Sequence, residues 1–325
     1  MKKTMFFALL ALLFTTGKAQ TASTLRITGT RFTFPVFKKW AEEYRKIHPQ
    51  VTIQVASGIP ADSADILIAS HILKPGDVKD GQTSVALTRY VQLPVVNSAK
   101  PDLNTLTGKG FTEANFRQIY FTDTSSGVKG FNSPYTVYKR QKAACSSVAF
   151  ANHFGGDHKD IKGTGVAGDD QDLLEAVKAD VNAVSHNSLG IIYDIQTRKV
   201  NDSIAIVPID LNENGKIDAE EKIYATLDGV VLFVEKTNHP KIPTENVNVI
   251  FSATKNHQLV TDFLTWVITK GQQFNHQFGL LNLSAATVQQ EQALLVKTAV
   301  LKSCTPSLAG LKSNTIKGDI KTISQ

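Results

Sequence analysis

Apolar positions recur along the chain with two spacings, one typical of strands and one of helices. A short apolar stretch at residues 25–28 is followed by Trp40, Ala41, Tyr44 and Ile47 at helical spacing. Lysine and glutamate fill the other side of this segment, which therefore predicts a strand, a tight turn and an amphipathic helix. Free backbone N–H groups at the start of such a helix favour the binding of an oxyanion there.

The same two spacings continue to the C-terminal region. Strand patterns are predicted at residues 51–55, 64–69, 90–96, 189–193, 204–209 and 230–234. Helical patterns are predicted at residues 112–120, 173–181, 258–278 and 287–302, and residues 137–154 read as strand, loop and helix. Alternation of strands and helices predicts an α/β fold.

Two of the apolar runs are predicted to cross between two lobes. Residues 90–96 contain a proline, which suits an edge or a crossing segment, and residues 230–234 supply the return. The crossings are expected to lie side by side as a hinge. The first lobe then comprises residues 21–96 and 230–325, and the second lobe, residues 97–229, is inserted into it. A ligand would bind in the cleft at the strand ends.

Residues 1–20 have the pattern of a secretory signal peptide. Lys2 and Lys3 precede an apolar stretch, and the small residues Gly17 and Ala19 lie near the predicted cut. The apolar stretch is too short to span a bilayer. We expect a periplasmic or secreted protein, soluble after cleavage and monomeric.

Composition and charge limit the classes of function that we expect for this protein. The chain has 35 Lys and Arg against 29 Asp and Glu, with no basic stripe, so we expect no nucleic-acid partner. Cys145 and Cys304 could pair in an oxidising compartment or stay free, and the sequence leaves both open. No motif that pairs a nucleophile with a base is present, and we therefore predict that the protein is not an enzyme.

Five segments carry a family resemblance: GTRFTFP (29–35), ADILIAS (64–70), LTGKGFTEANFRQIYF (106–121), LGIIY (189–193) and FLTWVITKGQQFNHQFGLLNL (263–283). Together they resemble the periplasmic phosphate-binding proteins of phosphate ABC importers. The resemblance implies a two-lobe type 2 periplasmic binding protein with the second lobe inserted into the first. It also implies capture of a small oxyanion, phosphate first, for the membrane component of an ABC transporter.

The resemblance also implies ligand-binding residues. Thr33 and Phe34 match a Thr-Phe pair that donates hydroxyl and backbone N–H groups to phosphate, and Ser57 lies in the turn that follows the next strand. Arg140 matches the pocket arginine, whose planar fork suits a tetrahedral oxyanion. From the residues alone, a surface position within the basic run of residues 139–142 is favoured for Arg140.

Two departures from the family pattern concern the expected pocket. Ala144, Cys145 and Ser146, followed by Ser147, stand where the family has Ser-Gly-Thr, and His71 stands where it has an aspartate. We therefore expect weaker discrimination between phosphate and sulfate, and stronger binding when His71 is protonated below about pH 6.5. The serines could instead cap a helix, and His71 could be a solvated loop residue. A protein that kept the fold but lost the pocket, acting as a calcium-stabilised interaction protein, is the alternative.

Residues 210–221, DLNENGKIDAEE, match the twelve-residue calcium loop at each ligand position. The predicted ligands are Asp210, Asn212, Asn214, Lys216 through its carbonyl, Asp218 through water, and Glu221. The preceding pattern is a strand, so the motif predicts a structural calcium site rather than a helix-loop-helix sensor. A polar hairpin held by Asn214-Gly215 is the alternative.

Overall fold

The computed structural model of this chain describes residues 23–122, 128, 133–252 and 254–303, with residues 299–303 described by their backbone alone. The predicted signal peptide and Cys304 lie outside these ranges.

The described residues form ten strands: β1 (Ser23–Gly29), β2 (Val51–Val55), β3 (Ile66–Ala69), β4 (Gln82–Asn97), β5 (Thr136–Arg140), β6 (Thr164–Val166), β7 (Ala183–Ser188), β8 (Ile204–Ile206), β9 (Thr244–Ser252) and β10 (Leu280–Leu281). The α-helices in the same part of the chain are α1 (Phe34–Ile47), α2 (Leu103–Lys109), α3 (Glu113–Phe121), α4 (Cys145–His153), α5 (Asp170–Ala179), α6 (Leu189–Ile192), α7 (Leu227–Thr237), α8 (His257–Thr269) and α9 (Ala285–Ser303). Short 3₁₀ helices cover Arg31–Thr33, His158–Asp160, Ala219–Glu221 and Gly271–Phe278.

Helix α1 forms where the apolar spacing predicts it. Pro35 lies in its first turn, where the missing N–H costs little, and the residue before Pro49 ends it. Its buried face includes Phe37, Trp40 and Tyr44. The Trp40 indole donates a hydrogen bond of 2.9 Å to the backbone oxygen of Gly271, which fixes the helix against the C-terminal part of the chain.

Strand β4 connects the two halves of the molecule. Its first half pairs antiparallel with β9, and its second half pairs antiparallel with β7 and β8. The strand order is β2-β1-β3-β9-β4-β7-β5-β6, with the parallel pairs β1·β2 and β1·β3 on one side and β5·β7 and β5·β6 on the other. The proline within β4, Pro94, faces His186 of β7. Residues 90–96, where a crossing is predicted, thus lie where β4 changes its partners from β9 to β7 and β8.

Two hydrophobic cores flank this shared strand. One contains side chains of β1, α1, β3, β9 and α8, and the other contains side chains of α3, α4, α5, β7 and α7. Tyr90 belongs to the first core and Val91 to the second, so the division falls inside β4. Each core is enclosed by strands and helices, and the cleft between them is where a ligand can contact both lobes.

The predicted strand at residues 230–234 is wrong, because this segment lies within helix α7. The Thr226 side chain accepts a hydrogen bond from the Gly229 N–H and caps the helix. Val230, Val231 and Val234 are buried, whereas Leu232 is 63% exposed, so the apolar run is one helix face plus one exposed residue. The strand beside β4 is β9, with Val91 opposite Thr244, and not the predicted segment.

The predicted strand at residues 189–193 is also wrong, since Leu189–Ile192 form the single helical turn α6. Ile191 lines the cleft and Leu189 enters the second core, so the apolar residues of this segment serve two surfaces of one turn. In the described ranges, no helix is both long enough and apolar enough to cross a membrane.

Candidate functional site

A cavity of about 460 Å³ lies between the lobes. The first lobe contributes Gly29, Thr30, Arg31 and Phe32, and the second contributes Arg140, Cys145, Ser146 and Asp170. The first group begins at the last residue of β1, and the second group ends β5 or lies at the start of α4 and α5. The cavity therefore lies at the strand ends, as the alternating pattern predicts.

The first-lobe wall is formed by the predicted anion loop, but not by the two residues predicted within it. Gly29 has a φ of 126°, and a Cβ there would lie 2.2 Å from the carbonyl oxygen of Ile68, so only glycine allows the loop to pack on β3. The Thr33 side chain is buried and donates to the backbone oxygen of Thr30 at 2.6 Å. Thr33 and Phe34 support the loop, and the residues just before them line the cavity.

Arg140 lies in the cleft and not on an exposed basic surface. Its guanidinium pairs with the Asp170 carboxylate at 2.7 Å, and the two side chains are 10% and 11% exposed. Arg140 also donates to the backbone oxygen of Gly168, and the Ser146 hydroxyl donates to Asp170 at 3.3 Å. The cavity thus contains a guanidinium whose charge is already matched by a carboxylate.

Asp170 is a cavity residue that the sequence reasoning missed. It is the first residue of α5, where a carboxylate is stabilised by the helix N-terminus, and the Asp169 side chain caps the helix by accepting from the Gln171 N–H. The Asn187 amide donates to the Asp170 backbone oxygen at 3.0 Å and holds it against β7. The pair of aspartates before the predicted helix at 173–181 was the available signal.

Arg31 is the second missed residue, and it connects the two lobes across the cleft. Its guanidinium donates to the backbone oxygen of Gly168 at 3.0 Å and lies 3.7 Å from the Asp169 carboxylate. Both arginines of the cavity therefore reach the Gly168–Asp169 turn, one from each lobe. Of these contacts, those of Arg31 join the two lobes.

Cys145 and His71 belong to opposite lobes. Cys145 opens α4 in the second lobe, and His71 follows β3 in the first lobe. The imidazole Nε2 atom lies 3.6 Å from the Asp77 carboxylate, and interaction with the Cys145 sulfur raises the pKa of His71. His71 is half-buried rather than a solvated loop residue, and it does not line the cavity itself.

The remaining predicted anion ligands lie elsewhere. Ser57 is exposed and borders a shallow depression on the first lobe. Ser147 is buried on the other side of α4, and its hydroxyl has no hydrogen-bond partner among the described residues. The structure thus brings Arg140 and Ser146 together at the cavity and leaves Ser57 and Ser147 outside it.

The predicted calcium loop folds around two buried carboxylates. Asp210 is fully buried and Glu221 is 4% exposed. The Asp210 carboxylate accepts from the N–H groups of Asn214 at 3.2 Å and Gly215 at 2.8 Å. Glu221 accepts from the N–H groups of Leu211 at 2.7 Å and Asp218 at 2.9 Å. Gly215 has a φ of 84°, which the sharp turn requires.

The polar side chains of this loop are otherwise bound to one another. Asp218 accepts from the side-chain amides of Asn212 at 3.0 Å and Asn214 at 2.6 Å, and Lys216 pairs with it at 2.9 Å. Over the described residues, no group of three or more His, Cys, Asp and Glu side chains is arranged to hold a metal ion. A calcium loop also uses amide and backbone oxygens, and the calcium site stays a prediction.

Known structures share this architecture at low sequence identity. A protein from Clostridium perfringens, named as a phosphate ABC transporter substrate-binding protein with bound phosphate, has a TM-score of 0.60 and 18% identity, covering 81% of this chain and 100% of its own. An ABC-type phosphate transport receptor from Vibrio cholerae has a TM-score of 0.55 and 16% identity, covering 80% of this chain and 100% of its own. The chain has the type 2 periplasmic binding fold.

No family model matches the sequence, and no curated protein matches it either. The predicted α/β fold of two lobes is confirmed. In a type 2 periplasmic binding fold, the lobes close by a hinge around the ligand. The cavity lined by Arg31 and Arg140 lies between the two lobes of this chain.

Proposed function

We propose that the protein is an exported solute-binding protein that captures a small oxyanion, phosphate first, and delivers it to an ABC importer. The observation that carries this proposal is the pair of arginines that reach one interlobe cavity from opposite lobes. The names of the two similar structures agree with it. Hinge closure would then bring both guanidinium groups to the anion.

The charges around the cavity favour a ligand that carries a proton. Asp170 can accept a hydrogen bond from a ligand hydroxyl, while Arg140 and Arg31 donate to the ligand oxygens. Hydrogen phosphate has such a hydroxyl at neutral pH, whereas sulfate does not and would face the Asp170 charge. We therefore expect phosphate to bind more tightly than sulfate. This replaces the expectation of weak discrimination between phosphate and sulfate, which rested on His71 standing where the family has an aspartate. Asp170 supplies a carboxylate to the cavity from another position.

A calorimetric titration with phosphate, sulfate and small carboxylates tests the proposal. Arg140→Ala should weaken phosphate binding by roughly tenfold to a hundredfold, since a charged hydrogen bond in a desolvated cleft contributes about 1.5–3 kcal/mol. Lys142→Ala is the matched control, because Lys142 is an exposed cation two residues away and outside the cavity. It should leave the affinity unchanged.

The alternative function is an interaction protein with the same fold, and one observation favours it. Arg140 is already neutralised by Asp170, so the cavity has less free positive charge than a bare arginine would provide. If no anion binds and Arg140→Ala is silent, the interaction-protein function replaces the proposed one.

We further propose that residues 210–221 bind a structural Ca²⁺. Support comes from the sequence motif and from two buried carboxylates, Asp210 and Glu221, whose hydrogen-bond partners are backbone N–H groups of the same loop. A cation would stabilise this concentration of negative charge. The site would have the moderate affinity of extracellular modules, roughly 10⁻⁴ to 10⁻³ M.

A further inference from the structure

The cavity between the lobes is larger than inorganic phosphate requires. Its volume is about 460 Å³. The heavy atoms of phosphate would fill roughly 150 Å³, if each needs the space of one water molecule. Pockets that hold organic ligands have volumes of roughly 300–1,000 Å³, and this cavity lies within that range. A bound phosphate would therefore leave room for a further group of several heavy atoms.

Apolar side chains from both lobes form much of the cavity lining. The larger ones and one alanine beside them are Phe32, Ile68, Phe278, Ala144, Ile191 and Ile195. Phe32 packs against the buried Tyr90 with a ring-centroid distance of 4.8 Å, and the Tyr90 hydroxyl donates to the Ser70 backbone oxygen at 2.7 Å. Water gains little from such side chains, so an apolar group of a ligand would replace it favourably.

A close backbone approach brings apolar residues of opposite lobes together. A Cβ at Gly190 would lie 2.5 Å from the carbonyl oxygen of Phe278, and a Cβ at Gly279 would lie 2.8 Å from the Gly190 nitrogen. Gly279 also has a φ of 70°, which favours glycine. The absence of both side chains lets Phe278 of the first lobe approach α6, where Ile191 follows Gly190. The apolar lining therefore includes neighbouring residues from the two sides of the cleft.

The polar part of the lining can satisfy three corners of a tetrahedral ligand. Arg31 and Arg140 can donate to two of its oxygens, and Asp170 can accept from a third that carries a proton. The hydroxyl and amide side chains of the lining already donate to protein oxygens, and these are Thr30, Ser146 and Gln171. A fourth ligand oxygen would find fewer donors than the other three, whereas a carbon at that corner needs none.

We propose that the cleft binds a phosphonate, in which a carbon-linked apolar group replaces one oxygen of phosphate. This inference rests on the proposed function, because the phosphonate oxygens bind as proposed for phosphate. Two oxygens accept from Arg31 and Arg140, and the phosphonate hydroxyl donates to Asp170. The apolar group lies against the apolar lining, which includes Phe278 and Ile191. It stabilises the complex in proportion to the apolar area that leaves water.

The carboxylate of Asp170 selects a phosphonate over other anions with an apolar group. Sulfonates and carboxylates carry no proton at neutral pH, so they would meet the Asp170 charge without a hydrogen bond to it. A phosphate monoester has a second pKa of about 6 and has lost most of its hydroxyl protons at neutral pH. Phosphonates hold this proton more tightly, and a carboxylate beside them favours the protonated form.

Calorimetric titration at neutral pH with phosphate, phenylphosphonate and phenyl phosphate tests this inference. Phenylphosphonate should bind roughly tenfold more tightly than either of the others. Phe278→Ala should lower the ratio of phenylphosphonate affinity to phosphate affinity roughly tenfold, because the ring loses its apolar contact. Phe274→Ala is the matched control, at a half-buried phenylalanine of the same 3₁₀ helix that does not line the cavity. It should leave the ratio unchanged.

The outcomes separate this inference from the proposed function. Phosphate that binds at least as tightly as phenylphosphonate would overturn the inference and leave the proposed function in place. Equal affinities for phenylphosphonate and phenyl phosphate would overturn the choice of a phosphonate. Binding of none of the three compounds would overturn the proposed function and this inference with it. If Phe278→Ala fails to fold, Ile195→Ala provides the same comparison from a half-buried turn residue of the second lobe.

Discussion

Two regions of the second lobe bury carboxylates, and they compensate the negative charge in different ways. In the cleft, Asp170 is matched by the guanidinium of Arg140, 30 residues away in the sequence. In the 210–221 loop, Asp210 and Glu221 accept hydrogen bonds from backbone N–H groups of the same loop. The first arrangement needs tertiary structure, whereas the second needs only a local turn.

This difference determines which kind of ligand each region can bind. The cleft is close to electrically balanced before any ligand arrives, so a ligand must replace or extend an existing ion pair. The loop keeps its carboxylate charge, because N–H dipoles satisfy the oxygen lone pairs without neutralising them. A cation therefore binds more favourably at the loop, and a proton-bearing anion binds more favourably at the cleft.

The largest expected effect comes from removing Asp170. Asp170→Ala leaves the Arg140 guanidinium buried without its partner and should lower the free energy of unfolding by roughly 3–5 kcal/mol, measured by urea denaturation. Glu175→Ala, at an exposed carboxylate on the same helix, should change it by less than about 0.5 kcal/mol. If the double variant Arg140→Ala/Asp170→Ala is as unstable as the sum of the single variants, the two residues are not coupled.

The next effect concerns His186, a buried group in the same lobe that has neither kind of compensation. Its ring stacks on Phe150 at a centroid distance of 3.7 Å, and burial lowers its pKa to about 3. The unfolded chain binds a proton at an ordinary pKa near 6.5, so stability is complete above that pH and is lost as the pH falls toward the folded-state value. The loss should be on the order of 2–3 kcal/mol at pH 4.5.

Comparison with His186→Phe isolates this contribution. The phenylalanine ring preserves the stacking and cannot take up a proton, so the variant should lose less stability than the native protein between pH 6.5 and 4.5. His239→Phe, at a histidine that is only partly buried, is the control. Identical pH profiles for the native protein and His186→Phe would show that His186 is not the group that titrates.

The third effect tests the loop. With 1 mM Ca²⁺ and a dissociation constant tenfold lower, ligand binding to the folded state should add about 1.4 kcal/mol to the free energy of unfolding. A chelator should therefore lower the melting temperature, and Glu221→Gln should abolish that change. Glu220→Gln, at the exposed neighbouring carboxylate, should retain it. A melting temperature that changes with neither Ca²⁺ nor chelator would support the alternative, a polar hairpin that binds no calcium.

The same contrast explains which features could be predicted from the sequence. Helix α1 and the 210–221 loop depend on contacts close in sequence, and the apolar spacing and ligand spacing predict their positions. The Arg140–Asp170 pair depends on how β5 and α5 pack within the second lobe, and the Arg31 contacts depend on how the lobes meet, neither of which a local pattern encodes. The error at Val230–Val234 arose because a run of β-branched residues is typical of strands but is also tolerated in a capped, half-buried helix.

Replacing Arg31 should have the smallest effect on stability, although it should measurably change the overall dimensions of the molecule. Arg31 and Asp169 are 46% and 40% exposed, so their ion pair should contribute no more than about 1 kcal/mol. Arg31 nevertheless provides direct contacts between the first lobe and the Gly168–Asp169 turn. Arg31→Ala should therefore leave the urea midpoint nearly unchanged while increasing the radius of gyration measured by small-angle X-ray scattering without ligand. Arg45→Ala, on the outer part of α1, is the control for a lost surface arginine. Equal radii of gyration for both variants would show that the Arg31 contacts do not hold the two lobes together.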